Sequence, residues 1–123
     1  MRAKASITVQ IVLESETRIG PGKADLLQGV LETGSIAAAG RRLSMSYKRA
    51  WYLIDTLNSA FKEPLVTAVK GGRSGGGAHL TATGHAVLAQ YRNIEEITRR
   101  AVATEIKELA NLAKPPGAQS VTE

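Results

Sequence analysis

The sequence contains no cysteine, which excludes disulfides and every thiolate-ligated metal site. Aromatic side chains are scarce, being limited to Tyr47, Trp51, Tyr52, Phe61 and Tyr91. The core therefore has to be built mostly from Leu, Ile, Val and Ala, which suits packed helices. Long apolar runs are missing too. After Arg2 and Lys4 the apolar residues are interrupted by Thr8, Gln10 and Glu14, so neither a signal-peptide core nor a membrane span forms. A cytoplasmic location with no membrane partner is expected. Carboxylates are the minority charge, with 11 Asp and Glu against 16 Lys and Arg. The imbalance is local: between Arg41 and Arg73 the cations Arg41, Arg42, Lys48, Arg49, Lys62, Lys70 and Arg73 face only Asp55 and Glu63. Localised positive charge of this kind favours a polyanionic partner.

What is present fits one compact domain: 123 residues with a hydrophobic fraction of 43%, a size and composition typical of globular chains. Ile7, Val9, Ile11 and Leu13 alternate with polar residues, and that period of two predicts a strand over residues 6–14. Leu26, Leu27, Val30 and Leu31 recur at helical spacing and predict a first helix over 22–33, closed by Gly34. Ser35 is placed to cap a short helix from Ile36 to Leu43 that is rich in Ala and Gly. A tight Ser44-Met45 turn follows, and Ser46 is the next N-cap candidate. The third helix is expected from Tyr47 to about Lys62, with Ala50, Trp51, Ile54, Leu57 and Phe61 as its apolar stripe and Pro64 as its stop. Tyr47, Lys48, Arg49 and Tyr52 lie off that stripe.

Leu65 to Lys70 and Ala78 to Leu80 read as two strands of a hairpin around the glycine-rich run Gly71 to Gly77. Thr81 can cap a last helix reaching Ala113, in which Val87, Leu88, Tyr91, Ile94, Ile97, Ala101, Val102, Ile106, Leu109 and Leu112 recur mostly at steps of three or four. Roughly 30 helical residues span about 45 Å, more apolar length than so small a domain can cover. Lys114-Pro115-Pro116-Gly117 stops that helix ahead of a polar tail.

The expected fold class is mainly α with a small β-sheet: a winged helix-turn-helix followed by a long C-terminal dimerisation helix. The expected division is 1–81 for the winged helix-turn-helix, 82–114 for the long helix within the same compact unit, and 115–123 for a flexible tail. A duplex major groove admits one helix, and the N-terminal residues of that helix meet the base edges. Ser46, Tyr47, Lys48, Arg49 and Tyr52 are therefore the candidate base and phosphate contacts of the third helix. Ser35, Arg42 and Ser44 are candidates on the preceding helix and turn. Lys70, Arg73 and Ser74 would let the glycine-rich hairpin tip approach phosphates closely.

Other chemistries find little support. The glycine-rich loop lacks the Gly-Lys-Ser/Thr ending of a nucleotide-binding P-loop. His79 and His85 lack metal-ligand spacing. Glu95, Glu96, Glu105 and Glu108 alternate with Arg92, Arg99, Arg100 and Lys107 along one helix, as surface ion pairs do. No serine has an evident base. No enzyme activity, metal or cofactor is expected.

The run Gly34-Ser35-Ile36-Ala37-Ala38-Ala39-Gly40-Arg41-Arg42-Leu43-Ser44-Met45-Ser46-Tyr47-Lys48-Arg49-Ala50-Trp51 resembles the N-terminal DNA-binding domain of the molybdate-responsive ModE-type transcription regulators. The glycine-rich wing and Leu80-Thr81-Ala82-Thr83-Gly84 fit as well, so the likeness spans about residues 6–95. The Gly34-to-Leu43 part is shared more loosely with LysR-type regulators. The resemblance implies a homodimer joined through Val87, Tyr91, Ile94, Ile97, Ala101, Ile106 and Leu109, reading an inverted-repeat site on double-stranded DNA. It also implies a link to molybdenum metabolism. ModE-type regulators bind molybdate in C-terminal β-barrel modules, for which these 123 residues offer no counterpart. The expectation is thus a DNA-binding and dimerisation unit without its own molybdate site. The alternatives are an oxyanion sensor and a winged-helix adaptor for protein contacts.

Overall fold

A computed structural model describes residues 5–69 and 77–117. Strand β1 (Ile11–Val12) pairs antiparallel with β2 (Arg18–Ile19), in the register Ile11 to Ile19 and Val12 to Arg18. Helices α1 (Pro21–Thr33), α2 (Ile36–Arg42) and α3 (Tyr47–Ala60) follow. A second antiparallel hairpin joins β3 (Val66–Val69) to β4 (Gly77–Leu80), with Val66 opposite Leu80. Helices α4 (Ala82–Ala101) and α5 (Ala103–Leu112) complete the chain. The element order is that of a winged helix-turn-helix with a C-terminal helical extension.

Each helix start has a local cause. Pro21 occupies the first turn of α1, where its missing N–H costs nothing. The hydroxyls of Ser35, Ser46 and Thr81 cap α2, α3 and α4 by accepting from the backbone N–H of Ala38, Arg49 and Gly84 at 3.0, 3.0 and 2.9 Å. Gly34 ends α1 in the left-handed region at φ 71° and returns its N–H to the Val30 carbonyl, a conformation that a Cβ would strain.

The core is entirely aliphatic apart from Tyr91. Leu26, Leu27 and Val30 of α1 meet Ile36 and Ala39 of α2, then Ala50, Ile54 and Leu57 of α3. Leu65, Val66, Ala78 and Leu80 of the second hairpin and Leu88 of α4 close it from the other side. Each Leu, Ile or Val side chain so taken from water stabilises the fold by about 1.5–3 kcal/mol. No polar residue is buried among the described residues.

Several expectations from the sequence are corrected. Only Ile11 and Val12 of the expected 6–14 strand join a ladder. The alternation is nonetheless real: Ala5, Ile7, Val9, Ile11 and Leu13 are half-buried, while Ser6, Thr8, Gln10, Val12 and Glu14 are exposed. The extended segment lies on α4, where the Tyr91 hydroxyl donates to the Val9 carbonyl at 2.7 Å. Its periodicity thus reports burial against a helix, not strand pairing.

Helix α3 ends at Ala60, ahead of Pro64, because the chain is captured from its side. Asn58 Oδ1 accepts from the Leu65 and Val66 N–H groups at 2.8 and 3.1 Å, and Nδ2 donates to the Val66 carbonyl at 3.1 Å. Leu53 belongs to the buried face of α3, whereas Trp51 and Phe61 are only half-buried. The last helix is not continuous either. Val102 interrupts it with its N–H shared between the Thr98 and Arg100 carbonyls, and helical bonding resumes from Ile106 N–H to the Val102 carbonyl. Tyr91 was expected on an intersubunit stripe, but it is 3% exposed within the single chain. It serves this chain's own core.

Candidate nucleic-acid interface

Helical phase sorts the side chains of α3 into four groups, since successive residues turn by about 100°. Ala50, Leu53, Ile54 and Leu57 point into the core. Tyr47, Trp51 and Asn58 form the edge facing the second hairpin. A cleft of about 180 Å³ there is lined by Ser35, Tyr47, Trp51, Val69 and Gly77, among others. Arg49, Thr56 and Ala60 form the opposite edge. Lys48, Tyr52, Asp55 and Ser59 make the outward ridge, and all four are exposed.

The ridge is presented by the turn before it. Ser44 adopts φ 58°, a left-handed conformation uncommon for a residue with a side chain. The turn is held by N–H bonds from Ser44 to the Arg41 carbonyl at 3.1 Å and from Met45 to the Gly40 carbonyl at 3.0 Å. Ser44 and Ser46 therefore stand exposed at the start of α3. Tyr47 packs edge-on to Trp51 with ring centroids 6.4 Å apart. The Arg49 guanidinium sits 5.6 Å from the centre of the Tyr52 ring, a cation–π arrangement that holds the cation without neutralising it. Tyr47 and Tyr52 remain 59% and 60% exposed. Large exposed aromatics beside cations that have no carboxylate partner among the described residues suit a polyanionic partner that also offers flat or apolar surface.

The candidates are not all equally available. Ser44, Ser46, Tyr47, Lys48, Arg49 and Tyr52 share the exposed start of α3. Ser35 is half-buried, and its hydroxyl is already committed to capping α2. Arg42 turns toward α1, where Nη1 meets Glu32 Oε1 at 2.6 Å. Hydrogen bonds from Arg42 and then Gln28 hold the Glu32 carboxyl below the usual range. Lys70, Arg73 and Ser74 lie outside the described residues. At the base of that hairpin, His79 Nε2 and Thr67 Oγ1 are 3.0 Å apart. Glu96 pairs with Arg99 and Arg100, and Glu95 with Arg92, as the charge alternation predicts.

One positioning residue escapes a reading by residue type, and a second does more than its expected capping. Asn58 anchors the second hairpin to α3, and its signal was a polar residue four positions after Ile54, on the apolar phase. Thr81 ties α4 to that hairpin: besides capping, its hydroxyl donates to the Pro64 carbonyl at 2.7 Å and its N–H to the Leu65 carbonyl at 2.9 Å. Among the described residues no group of three or more His, Cys, Asp or Glu could hold a metal ion. No described helix is long and apolar enough to cross a membrane.

Known proteins resemble this chain in sequence and in fold. The molybdenum-pterin-binding protein MopA of Rhodobacter capsulatus is 40% identical over 85 residues, which cover 69% of this chain and 32% of that one. The molybdenum transport protein ModE of Azotobacter vinelandii is 43% identical over 84 residues, covering 65% of this chain and 31% of that one. The chain thus spans about a third of the length of the curated relatives it matches. The crystal structure of the CbnR DBD–DNA complex superposes with a TM-score of 0.53 at 30% identity, covering 68% of this chain and 90% of that one. The family model of the bacterial regulatory helix-turn-helix proteins of the lysR family matches residues 23–85, from the start of α1 to the first turn of α4. The chain belongs to that lysR helix-turn-helix family.

Proposed function

We propose that this chain is a sequence-specific double-stranded DNA-binding unit of a transcription regulator. It acts as a homodimer on an inverted repeat and is linked to molybdenum metabolism. The observation that carries this is the exposed N-terminus of α3, where Ser46, Tyr47, Lys48 and Arg49 stand clear of the core beside a hairpin anchored by Asn58. Helix α3 enters the major groove with Lys48 and Arg49 directed at base edges or phosphates. The second hairpin follows the backbone. The molybdenum link rests on the relatives' names, and the duplex on the CbnR complex.

The homodimer is supported by apolar surface on the last two helices. Ile97 is 53% exposed, Leu109 62% and Leu112 82%. Two open clefts flank the same helices. One, of about 500 Å³, runs between residues 5–7 and α5 past Ile106; the other, of about 270 Å³, passes Val87 and Ile94 beside the first hairpin. Val87, Ile94, Ile97, Ala101, Ile106 and Leu109 are the proposed interface, without Tyr91. Two-fold symmetry then sets the half-sites apart by about one helical turn (≈ 34 Å) or a multiple of it.

In vitro selection of bound duplexes from a random pool tests this reading. An enriched inverted repeat is the expected result. Failure to retain any duplex at low salt rejects DNA binding and leaves a protein-contact adaptor as the reading of the fold.

A further inference from the structure

The outward ridge of α3 is not uniformly basic. Lys48, Tyr52, Asp55 and Ser59 follow one another at steps of four, three and four, and all are exposed. One carboxylate therefore stands on the face that the DNA-binding reading turns to the major groove. Between Arg41 and Arg73 the sequence has only two carboxylates, Asp55 and Glu63. Glu63 accepts from Thr83 Oγ1 at 2.8 Å. Asp55 meets no cation among the described residues, whereas Asp25, Glu32, Glu95 and Glu96 each meet an arginine. Arg49 lies instead against the Tyr52 ring, 5.6 Å from its centre.

Asp55 also faces open space. With Tyr52, Thr56 and Ser59 of α3 and Ser15 and Thr17 of the first hairpin, it lines a cleft of about 500 Å³. Two hydroxyl donors of that cleft are spent within the chain: Thr56 donates to the Tyr52 carbonyl at 2.9 Å and Ser15 to Thr17 Oγ1 at 3.2 Å. A carboxylate only accepts. Set against DNA without a donor, it repels phosphate and weakens binding.

We propose that Asp55 is a specificity-determining residue, which selects a cytosine in each half-site by accepting from its N4 amino group in the major groove. The inference rests on the DNA-binding reading above. Guanine offers acceptors N7 and O6, thymine offers O4, and adenine sets N7 beside its N6 amino group. Cytosine alone presents a donor with no acceptor next to it. Seven residues set Asp55 about 10 Å beyond Lys48 along α3, roughly three base-pair steps of a duplex. The cytosine is therefore expected about three steps from the point that Lys48 reaches. Glu14 and Glu16, exposed on either side of Ser15, repel phosphate from the first hairpin. The cleft thus takes a base edge and not a strand backbone.

The test uses the full chain and duplexes selected from a random pool, followed by single-base substitution across the selected half-site. Replacing the cytosine should weaken binding by the parent roughly 5- to 10-fold and leave binding by Asp55→Ala nearly unchanged. Selection repeated with Asp55→Asn should move the preference at that one position toward adenine, whose N6 and N7 an amide pairs with together. Unaltered base preferences in both variants overturn the inference and leave the DNA-binding reading standing. A loss of discrimination spread evenly over the site overturns it too, because that is the mark of a displaced helix. The substitution scan with the parent needs no variant to fold: a half-site in which no cytosine is required also overturns the inference. Absence of duplex binding by the parent overturns both readings.

Discussion

At the scale of the residue, function and stability rest on different side chains. Lys48 and Arg49 are exposed and make no contact that the core requires, so their joint replacement by Ala should leave thermal unfolding unchanged. If each reads a base edge worth about 1.4 kcal/mol, operator affinity falls roughly 100-fold, measurable by mobility shift. Unchanged affinity would remove α3 as the reading helix. Tyr91 is the reverse case. Burial first, and then the Glu95 carboxylate, push its phenol above the usual range. A raised folded-state pKa means that stability is fully present below the ordinary tyrosine value of about 10 and is lost as pH rises through the folded value. Tyr91→Phe also leaves the Val9 carbonyl without its donor. It should cost about 1 kcal/mol at neutral pH, and its stability should decline less than the parent's in alkali. Urea titrations at both pH values separate the two effects.

At the scale of the element, the placement of each helix depends on a few close backbone contacts. Gly84 lies in the first turn of α4, and a Cβ there would collide with the Leu65 carbonyl oxygen. That carbonyl also accepts the Thr81 N–H, so it is not free to move. Gly84→Ala should therefore destabilise the protein by about 3 kcal/mol and lower Tm clearly in calorimetry. A Tm within a degree or two of the parent would show that this junction yields. Much of this level was legible in advance: Ser35, Ser46 and Thr81 announced three helix starts through hydroxyl chemistry and spacing alone. The exact end of α3 was not. Asn58 stops α3 by bonding to residues seven and eight positions later, and no local pattern records such a contact. The break at Val102 is likewise unmarked by proline or glycine.

At the scale of the whole molecule, the first described residues meet the last two helices. Residues 5–9 lie against α4 and α5, and the apolar surface left over runs along both helices. Replacing Ile97 and Leu109 together by Glu puts charge into the proposed interface while touching no buried side chain. Sedimentation should then show monomers that remain folded. A dimer that survives both substitutions would place the interface elsewhere. Loss of the dimer should also weaken binding to an inverted repeat far more than to a single half-site, because the second contact is no longer intramolecular.

The sequence alone determined what depends on neighbours along the chain: three capped helices, the tight turn at Ser44, the glycine-rich hairpin and the cationic start of α3. Those features follow from side-chain hydroxyls, φ preferences and periodicity within one or two turns. Tertiary structure decided what depends on distant neighbours. Ile7 and Val9 alternate with polar residues as a strand would, yet they lie along a helix, because alternation reports a buried face and not the partner that buries it. Tyr91 falls on the apolar stripe of the last helix, yet it belongs to the core, because only the path of residues 5–9 reveals which part of that stripe is already covered.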